Sequence, residues 1–161
     1  MQIAPFTIAV DQREGLPYRF NDVRLGRKKA FVCTISKHLK TGDYSIVGYE
    51  DHFCIERKSL VDLYQTLISH RDRFEEELAR MQLLEHSRIV IEADWRTIAD
   101  PERFDPTWPT QAHPNSVLGI IVSLAGKFPA TRWKTFKSRS DSEKYTFKKL
   151  AQWYEAVNQK S

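Results

Sequence analysis

The hydrophobic period of this chain changes at Ser59, and that change constrains the fold more than any other feature. Upstream, the stretches 43–47 and 53–57 are short strand-like runs joined by the turn-forming residues 48–51. Downstream, apolar residues recur at helical spacing, at Leu60, Leu63, Leu67 and Ile68. Ser59 suits the N-cap position, and Asp62 falls in the first helical turn. Two adjacent strands therefore lead into a helix, and the second strand ends beside the start of that helix.

The rest of the chain also combines strand-like and helix-like segments. Further strands are predicted at 6–10, 30–36, 88–91 and 131–136. Further helices are predicted at 74–86 after a break at 70–73, at 116–127, and from Ser140, where Glu143 would complete a capping box. A basic loop or short helical turn is expected at 17–29, and the proline-rich stretch 98–115 is expected to be a long surface loop. This succession predicts an α/β sandwich.

The length and composition fit one globular domain. At 161 residues, the chain is expected to form a single domain over 1–161 that buries about two thirds of its unfolded surface. No apolar run approaches the roughly 20 residues of a membrane span, and no basic segment precedes the apolar N-terminal run. These features predict no membrane association and an intracellular protein, cytoplasmic if prokaryotic or viral and nuclear if eukaryotic. Cys33 and Cys54 lie in apolar runs and are predicted to be buried free thiols.

The formal net charge is only +4, but the basic residues are clustered. One group lies at 24–29 before the second strand, another at 37–40 just before Asp43, and a third at 132–139. A basic surface around an acidic centre suits a phosphate-bearing polymer. The charge pattern alone is explained equally well if the Lys and Arg side chains only keep the surface hydrated.

Asp43, Glu56 and Lys58 form the candidate site. Strand alternation directs Glu56 and Lys58 to the same face, and Asp43 opens the neighbouring strand. If the two carboxylates approach to about 4 Å, their repulsion is on the order of 4 kcal/mol at an effective dielectric of about 20. Mg²⁺ would offset this repulsion and bring bound water, with Asp11 as a further ligand and Lys58 orienting the water or stabilising charge on a phosphate. Taken alone the pattern is weak, because acidic turns and charged strand edges are common.

The spacing of these residues resembles the signature of the XPF-family structure-specific nuclease domain. The shared pattern consists of Gly42-Asp43, then Glu56-Arg57-Lys58 and, after three residues, Asp62. The segment 10–14 resembles the family's first acidic motif; its sequence is Val10-Asp11-Gln12-Arg13-Glu14. The resemblance covers nearly the whole chain. It implies a restriction-endonuclease-like fold, an α/β three-layer sandwich with a central mixed sheet of about five or six strands flanked by helices.

The resemblance implies a divalent-metal-dependent DNA endonuclease that hydrolyses phosphodiester bonds at flaps, branches or junctions in repair, recombination or replication. The implied cofactor is Mg²⁺ or Mn²⁺, held by Asp43 and Glu56 together with Asp11. The implied catalytic set consists of Asp43, Glu56, Lys58, Asp11, Glu14, Arg57 and Asp62. Strand alternation places Arg57 on the opposite face from Glu56 and Lys58, so the sequence itself favours a structural or DNA-positioning role for Arg57.

Four basic residues near this site are predicted DNA contacts: Arg71, Arg73, Lys37 and Lys40. For the two arginines, ion pairing with the glutamates at 75–77 fits as well. Trp108 is a candidate for stacking on an unpaired base, although packing of its loop onto the domain is the simpler interpretation. No histidine is assigned to the metal.

Members of the family usually carry a tandem helix-hairpin-helix domain after the nuclease domain, and no segment up to Ser161 resembles one. We therefore expect weak, salt-sensitive DNA binding, with a log-log salt slope of roughly −3.6 for about 4 phosphate contacts, and a separate DNA-binding partner. The resemblance also implies a homodimer or heterodimer. Tyr145 and Trp153 lie off the apolar stripe of the last helix and are candidates for the partner surface, although packing beside the core fits them better.

Two other functions share parts of this pattern. A non-catalytic DNA-binding or scaffold module of the same fold would position a partner nuclease, and its signature would be a damaged acidic site. Here every acidic and basic element of the motif is present. A sequence-specific restriction-type nuclease would use the same site chemistry but would prefer a defined duplex sequence over a branch.

Overall fold

The computed structural model describes residues 1–109 and 112–159. Within these ranges the strands are β1 Gln2–Asp11, β2 Arg24–Leu25, β3 Lys28–Lys37, β4 Tyr44–Ile46, β5 Phe53–Lys58, β6 His86–Ile91 and β7 Thr131–Thr135. The helices are α1 Leu60–Ser69, α2 Arg71–Met81, α3 Trp95–Ala99, α4 Pro101–Phe104, α5 Pro114–Lys127 and α6 Arg139–Asn158.

The strands form one mixed sheet in the order β2-β3-β1-β4-β5-β6-β7. Strands β3 and β1 are parallel, β4 is antiparallel to both of its neighbours, and β5, β6 and β7 are parallel. Helix α6 packs on one face of the sheet, and α1, α2 and α5 pack on the other. The predicted three-layer α/β fold is confirmed. The sheet has seven strands because β2, a two-residue strand paired with the start of β3, is too short to leave a periodic signal.

The transition from sheet to helix at Ser59 forms as expected. The Oγ of Ser59 accepts a hydrogen bond from the backbone N–H of Asp62 at 3.1 Å. Helix α1 buries Leu63, Tyr64 and Leu67. The expected break is also confirmed, because α1 ends at Ser69 and α2 begins at Arg71. No helix within the described ranges is long and apolar enough to cross a membrane.

The prediction of one long loop at 98–115 was wrong. Helices α3 and α4 occupy part of this stretch, and α5 begins at Pro114. Pro101 and Pro114 both lie at the start of a helix, where the missing proline N–H would have had no partner in any case. Thr110 and Gln111, which belong to the predicted loop, lie outside the described residues.

The last helix is capped differently from the prediction. Its N-cap is Ser138, whose Oγ accepts from the backbone N–H of Asp141 at 3.1 Å, and the helix begins before Ser140. Glu143 therefore forms no capping box with Ser140. Its carboxylate instead accepts a hydrogen bond from the backbone N–H of Phe20, which ties the loop after β1 to α6.

The two cysteines differ in exposure. Cys54 is buried as predicted, but Cys33 is exposed. In β3, Ala30 and Val32 point into the core under α6, so alternation directs Cys33 to the opposite, exposed face of the strand. The prediction of a buried thiol at Cys33 was wrong because apolar neighbours on a strand do not identify the covered face.

Three aromatic residues that were candidates for a binding surface, Tyr145, Trp153 and Trp108, pack within the domain. Trp153 is 7% exposed and belongs to the core under α6, and Tyr145 packs against that core. Trp108 packs edge-on against Tyr64, with ring centroids 5.0 Å apart. For all three the packing interpretation fits the structure better than an exposed binding surface.

Candidate active site

The side chains of β5 alternate between the two faces of the sheet. Ile55 belongs to the core under α6, whereas Cys54 belongs to the core under α1, α2 and α5. Glu56 and Lys58 therefore face α1 and α2, and Arg57 faces α6. This arrangement agrees with the alternation expected from the sequence.

A cleft of about 350 Å³ opens on the α1 and α2 side, where β1 ends and β4 begins. Four of the predicted site residues line it: Asp11, Asp43, Glu56 and Lys58. Its other charged lining residues are four cations and one further carboxylate, namely Arg13, Lys40, Arg73, Arg80 and Glu77. The cleft can therefore accommodate both a metal cation and a phosphate group.

Asp43 is positioned by the backbone around it. Gly42 has φ 75°, and a Cβ there would lie 2.9 Å from the Cβ of Cys54, so only glycine fits. The backbone N–H of Arg57 donates to Oδ2 of Asp43 at 2.7 Å. Burial, followed by repulsion from Glu56, raises the pKa of the Asp43 carboxyl well above its usual value despite this hydrogen bond. Folding therefore disfavours the ionised form of Asp43, and a nearby cation would favour it.

Glu56 and Lys58 form an ion pair inside the cleft. Lys58 Nζ lies 2.9 Å from Glu56 Oε1, and the two side chains are 14% and 12% exposed. Burial raises the pKa of the Glu56 carboxyl, although Lys58 opposes the rise. Burial alone would lower the pKa of Lys58, but the attraction of Glu56 holds it above its usual value. Lys58 thus supplies a positive charge directly beside Glu56, while burial still raises the pKa values of both Asp43 and Glu56.

Asp11 lines the same cleft, but Arg13 already binds its carboxylate. The Nε and Nη2 of Arg13 donate to Oδ2 of Asp11 at 2.9 and 2.6 Å, and Nη2 also donates to the carbonyl of Leu39 at 2.9 Å. Burial alone would raise the pKa of Asp11, but the hydrogen bonds from Arg13 hold it below its usual value. Asp11 is therefore an ionised carboxylate that has a cationic partner before any metal binds.

Arg57 is the centre of an ion-pair network on the opposite face. Its Nε and Nη2 donate to the two carboxylate oxygens of Glu14 at 3.0 and 2.9 Å, and its Nη1 donates to Oε1 of Glu92 at 2.9 Å. The same Glu92 oxygen accepts from Tyr18 Oη and Arg139 Nη1, each at 3.0 Å. Burial would lower the pKa of Arg57, but its hydrogen bonds with both glutamates raise it. Arg57 and Glu14 thus lie away from the cleft and join the loop after β1 to β5, β6 and α6.

The four predicted DNA contacts divide into two pairs. Lys40 and Arg73 line the cleft, and neither forms an ion pair with a carboxylate in the part of the chain that the structure describes. The other two are neutralised on the surface, Lys37 by Glu50 at 2.6 Å and Arg71 by Glu75 at 3.1 Å. The cleft pair is the better placed to meet a phosphate.

Several residues of this region were not predicted. Arg13 binds Asp11, Glu77 accepts from the backbone N–H of Gly42 at 2.8 Å, and Glu92 joins the Arg57 network. A sequence signal existed for Glu77, because it follows Arg73 by four residues and shares its helix face. The predicted residue Asp62 is exposed on α1, outside the cleft lining, where its charge still helps to raise the pKa of Lys58.

The donor set fits a hard divalent ion. Among residues 1–109 and 112–159, no group of three or more His, Cys, Asp or Glu side chains is arranged to hold a metal. Asp43 and Glu56 nevertheless face one cleft, and burial raises both of their pKa values. Mg²⁺ is commonly bound through one or two carboxylates, with water and substrate phosphates as its remaining ligands. These two residues therefore suit Mg²⁺ or Mn²⁺ better than the closed ligand set of a structural zinc site.

Comparison with known proteins identifies the family. XPF from Aeropyrum pernix is similar in structure, with a TM-score of 0.59 and 19% sequence identity over 92% of this chain and 65% of that chain. This chain thus spans just under two thirds of the length of that structure, and the likeness shows a shared fold. A search of curated protein sequences finds no match. The ERCC4 domain family model matches residues 10–148. The chain therefore belongs to the ERCC4 domain family.

Proposed function

We propose that this protein is a divalent-metal-dependent endonuclease that hydrolyses phosphodiester bonds in DNA. The observation that carries the proposal is the solvent-open cleft in which Asp43, Glu56 and Lys58 come together among further cations. Membership of the ERCC4 domain family supports a nuclease function and DNA as the substrate class. Carboxyl groups with raised pKa values beside a lysine are typical of functional sites, which favours an enzyme over a scaffold.

The proposed chemistry assigns one task to each residue of the cleft. Asp43 and Glu56 would hold Mg²⁺ or Mn²⁺, which supplies Lewis-acid charge and lowers the pKa of bound water. Glu56 also orients Lys58 through their 2.9 Å contact. Lys58 stabilises the negative charge that develops on the phosphate, or orients the attacking water. Lys40 and Arg73 bind neighbouring phosphates of the strand.

The remaining predicted residues support this centre in the proposal. Arg57 and Glu14 fix the end of β5, whose backbone N–H at Arg57 holds Asp43. Asp11 holds Arg13 at the cleft, and its carboxylate would be available as a further ligand for the metal ion if Arg13 instead bound a phosphate. Asp62 adds a negative charge near Lys58 and makes a small contribution to the raised pKa that Glu56 chiefly maintains.

The proposed substrates are flaps, forks and other branched DNAs that arise in repair, recombination or replication, and the proposed assembly is a homodimer or heterodimer. Family membership supports the DNA substrate class, and the proposed assembly rests on the motif resemblance. Among the large apolar side chains of the described helices, Val122 on α5 is the most exposed, at 73%, and serves here as a probe of the interface. Light scattering over a concentration series tests the homodimer: a dimer mass that Val122→Asp converts to a monomer is expected. A monomer at every concentration would leave only a heterodimer.

The nuclease proposal is tested by incubating end-labelled flap, fork and linear duplex DNA with Mg²⁺, Mn²⁺ or EDTA. The unaltered protein is expected to cut the branched substrates only in the presence of metal, and Asp43→Asn and Lys58→Ala are each expected to slow cutting by about 10²-fold or more. Lys37→Ala is the matched control, because Lys37 is paired with Glu50 outside the cleft lining.

The outcomes separate the three candidate functions. Binding of all three DNAs without cleavage under any metal condition would refute the enzyme and support a scaffold module. Cutting of linear duplex at one sequence would support a restriction-type nuclease instead. Equal cutting with EDTA would refute the metal requirement while leaving the nuclease function in place.

A further inference from the structure

Four cations cluster on the face of the sheet opposite the cleft, where β6, β7 and α6 meet. Arg88 of β6 lies directly across from Arg132 of β7, and strand alternation places Lys134 on the same side. The charged groups of Arg88 and Lys149 lie 6.0 and 5.5 Å from the ring centroid of Tyr145 on α6. We refer to Arg88, Arg132, Lys134 and Lys149 as the basic patch.

The charge of the basic patch is not offset by any acidic residue that the structure describes. Within the described ranges, none of its four cations forms an ion pair with a carboxylate. The ammonium of Lys149 donates to the neutral side chain of Gln152 at 2.9 Å. Two other exposed lysines do have carboxylate partners, since Lys127 pairs with Glu75 and Lys144 pairs with Asp22. The four cations of the basic patch thus lie close together with no described carboxylate to offset their charge.

The uncompensated charge has a cost in the folded protein. Like charges directly opposite each other on neighbouring strands are destabilising, as are Arg88 and Arg132 here. Partial burial, followed by repulsion from Arg88 and the nearby basic residues, lowers the pKa of Lys149. The Nη1 of Arg88 donates to Tyr145 Oη at 3.0 Å, whereas its Nε is buried and has no hydrogen-bond partner among the described residues. A bound anion would relieve the repulsion between the four cations.

We propose that the basic patch binds the phosphate backbone of a nucleic acid at a site separate from the cleft. Guanidinium groups match phosphate geometry in a bidentate manner, and two of the four cations are arginines. The cations come from two strands and one helix and so form a surface that can follow a chain of phosphates. A symmetric contact between two copies of this face would set the basic patch against itself, which disfavours a second copy as the occupant.

The test measures binding of a fluorescein-labelled 20-base-pair duplex by anisotropy, in EDTA and over a series of salt concentrations. The R132Q/K134Q double variant is expected to weaken binding about tenfold at low salt and to reduce the log-log salt slope by about 1.8, because each phosphate contact contributes about 0.9. The matched control is K127Q/K144Q, which removes the same charge from two ion-paired lysines. An unchanged slope in R132Q/K134Q, or an equal loss in the control, would overturn the proposal.

Thermal unfolding tests whether the basic patch is under repulsion, and competition by a second polyanion together with the oligomeric state distinguishes a nucleic acid from other occupants. Thermal unfolding without DNA is expected to show an unchanged or higher Tm for R132Q/K134Q, because the substitution removes repulsion. Equal competition by polyglutamate, or a changed oligomeric state in this variant, would overturn the proposal in favour of an acidic protein or a second copy.

The inference rests on the proposed function only for the identity of the polyanion as DNA. If R132Q/K134Q leaves the salt slope unchanged while the unaltered protein cleaves DNA, the proposed role of the basic patch is refuted and the nuclease function is not. If R132Q/K134Q lowers the salt slope but the unaltered protein never cleaves DNA, the nuclease function is refuted and the role of the basic patch is not.

Discussion

Glu56 and Arg57 are neighbours on β5, yet their side chains enter two regions in opposite electrostatic states. On the Arg57 side, the guanidinium joins Glu14 and Glu92, and the three side chains are at most 10% exposed. On the Glu56 side, Asp43 and Glu56 share the charge of Lys58, and burial raises the pKa of both carboxyls. The first region is closed and fully paired, whereas the second is an open cleft with incomplete neutralisation.

The difference separates a structural use of buried charge from a proposed catalytic use. Paired buried charges are costly to break but have no capacity left for a ligand, whereas two buried carboxyl groups with raised pKa values favour binding of another cation between them. The two regions are also connected, because the backbone N–H of Arg57 donates to Asp43 at 2.7 Å. The paired side of the strand thus positions a group on the open side.

The largest effect on stability is expected from Arg57→Ala. The substitution leaves Glu14 and Glu92 buried without their main partner, and breaking such a pair typically costs about 3–5 kcal/mol. Urea denaturation measures the free energy of unfolding. Arg71→Ala is the control, because its pair with Glu75 is on the surface and is worth at most about 1 kcal/mol. Equal losses of unfolding free energy in the two variants would contradict the claim that the buried Arg57 network stabilises the fold more than a surface ion pair does.

In the cleft, Lys58→Ala is expected to act mainly on catalysis. Loss of a group that stabilises developing charge typically lowers the rate by about 10²–10³. Single-turnover cleavage of a flap substrate, with protein in excess, measures the rate of the chemical step. The free energy of unfolding is expected to fall by less than in Arg57→Ala. A near-normal rate in a folded Lys58→Ala protein would contradict the proposed role.

Asp43→Asn is expected to stabilise the metal-free fold near neutral pH. The folded-state pKa of Asp43 is raised, so its contribution to stability is present below the unfolded-state pKa of about 3.9 and is lost as the pH rises through the folded value. Asparagine cannot ionise and still accepts the Arg57 N–H. A gain of about 0.5–2 kcal/mol, corresponding to a few degrees in Tm, is expected at pH 7 to 8 and should vanish at acid pH. Thermal scans in EDTA at several pH values measure it, and a variant less stable than the parent at pH 8 would contradict the raised pKa.

The smallest effect is expected on the salt dependence of DNA binding, when Arg73→Ala is compared with Arg71→Ala. Arg73 lines the cleft without an acidic partner among the described residues, whereas Arg71 is paired with Glu75. Arg73→Ala is expected to reduce the log-log salt slope of DNA binding by about 0.9, and Arg71→Ala is expected to leave it unchanged. Anisotropy titrations at several salt concentrations measure both slopes. The reverse ranking would place the DNA on another surface.

The sequence was sufficient to predict those parts of the site that depend on local rules. The period change at Ser59 located the sheet-to-helix transition, and strand alternation separated Arg57 from Glu56. The partners of these side chains could not be predicted, because they depend on how distant segments pack: Tyr18 and Glu92, which hydrogen-bond in the network, are 74 residues apart in sequence. Elements as short as β2 and α4 leave too few residues for a period to appear.

The two faces of β5 are proposed to have different tasks, one catalytic and one structural. Matched carboxyl-to-amide substitutions, Glu56→Gln and Glu92→Gln, test this division when single-turnover cleavage and the free energy of unfolding are measured on the same samples. Glu56→Gln is expected to lose cleavage by about 10²-fold or more with little loss of stability. Glu92→Gln is expected to lose stability while retaining cleavage within several-fold under conditions where it is folded. Normal cleavage by Glu56→Gln, or loss of cleavage by a fully folded and stable Glu92→Gln, would contradict the division of tasks between the two faces.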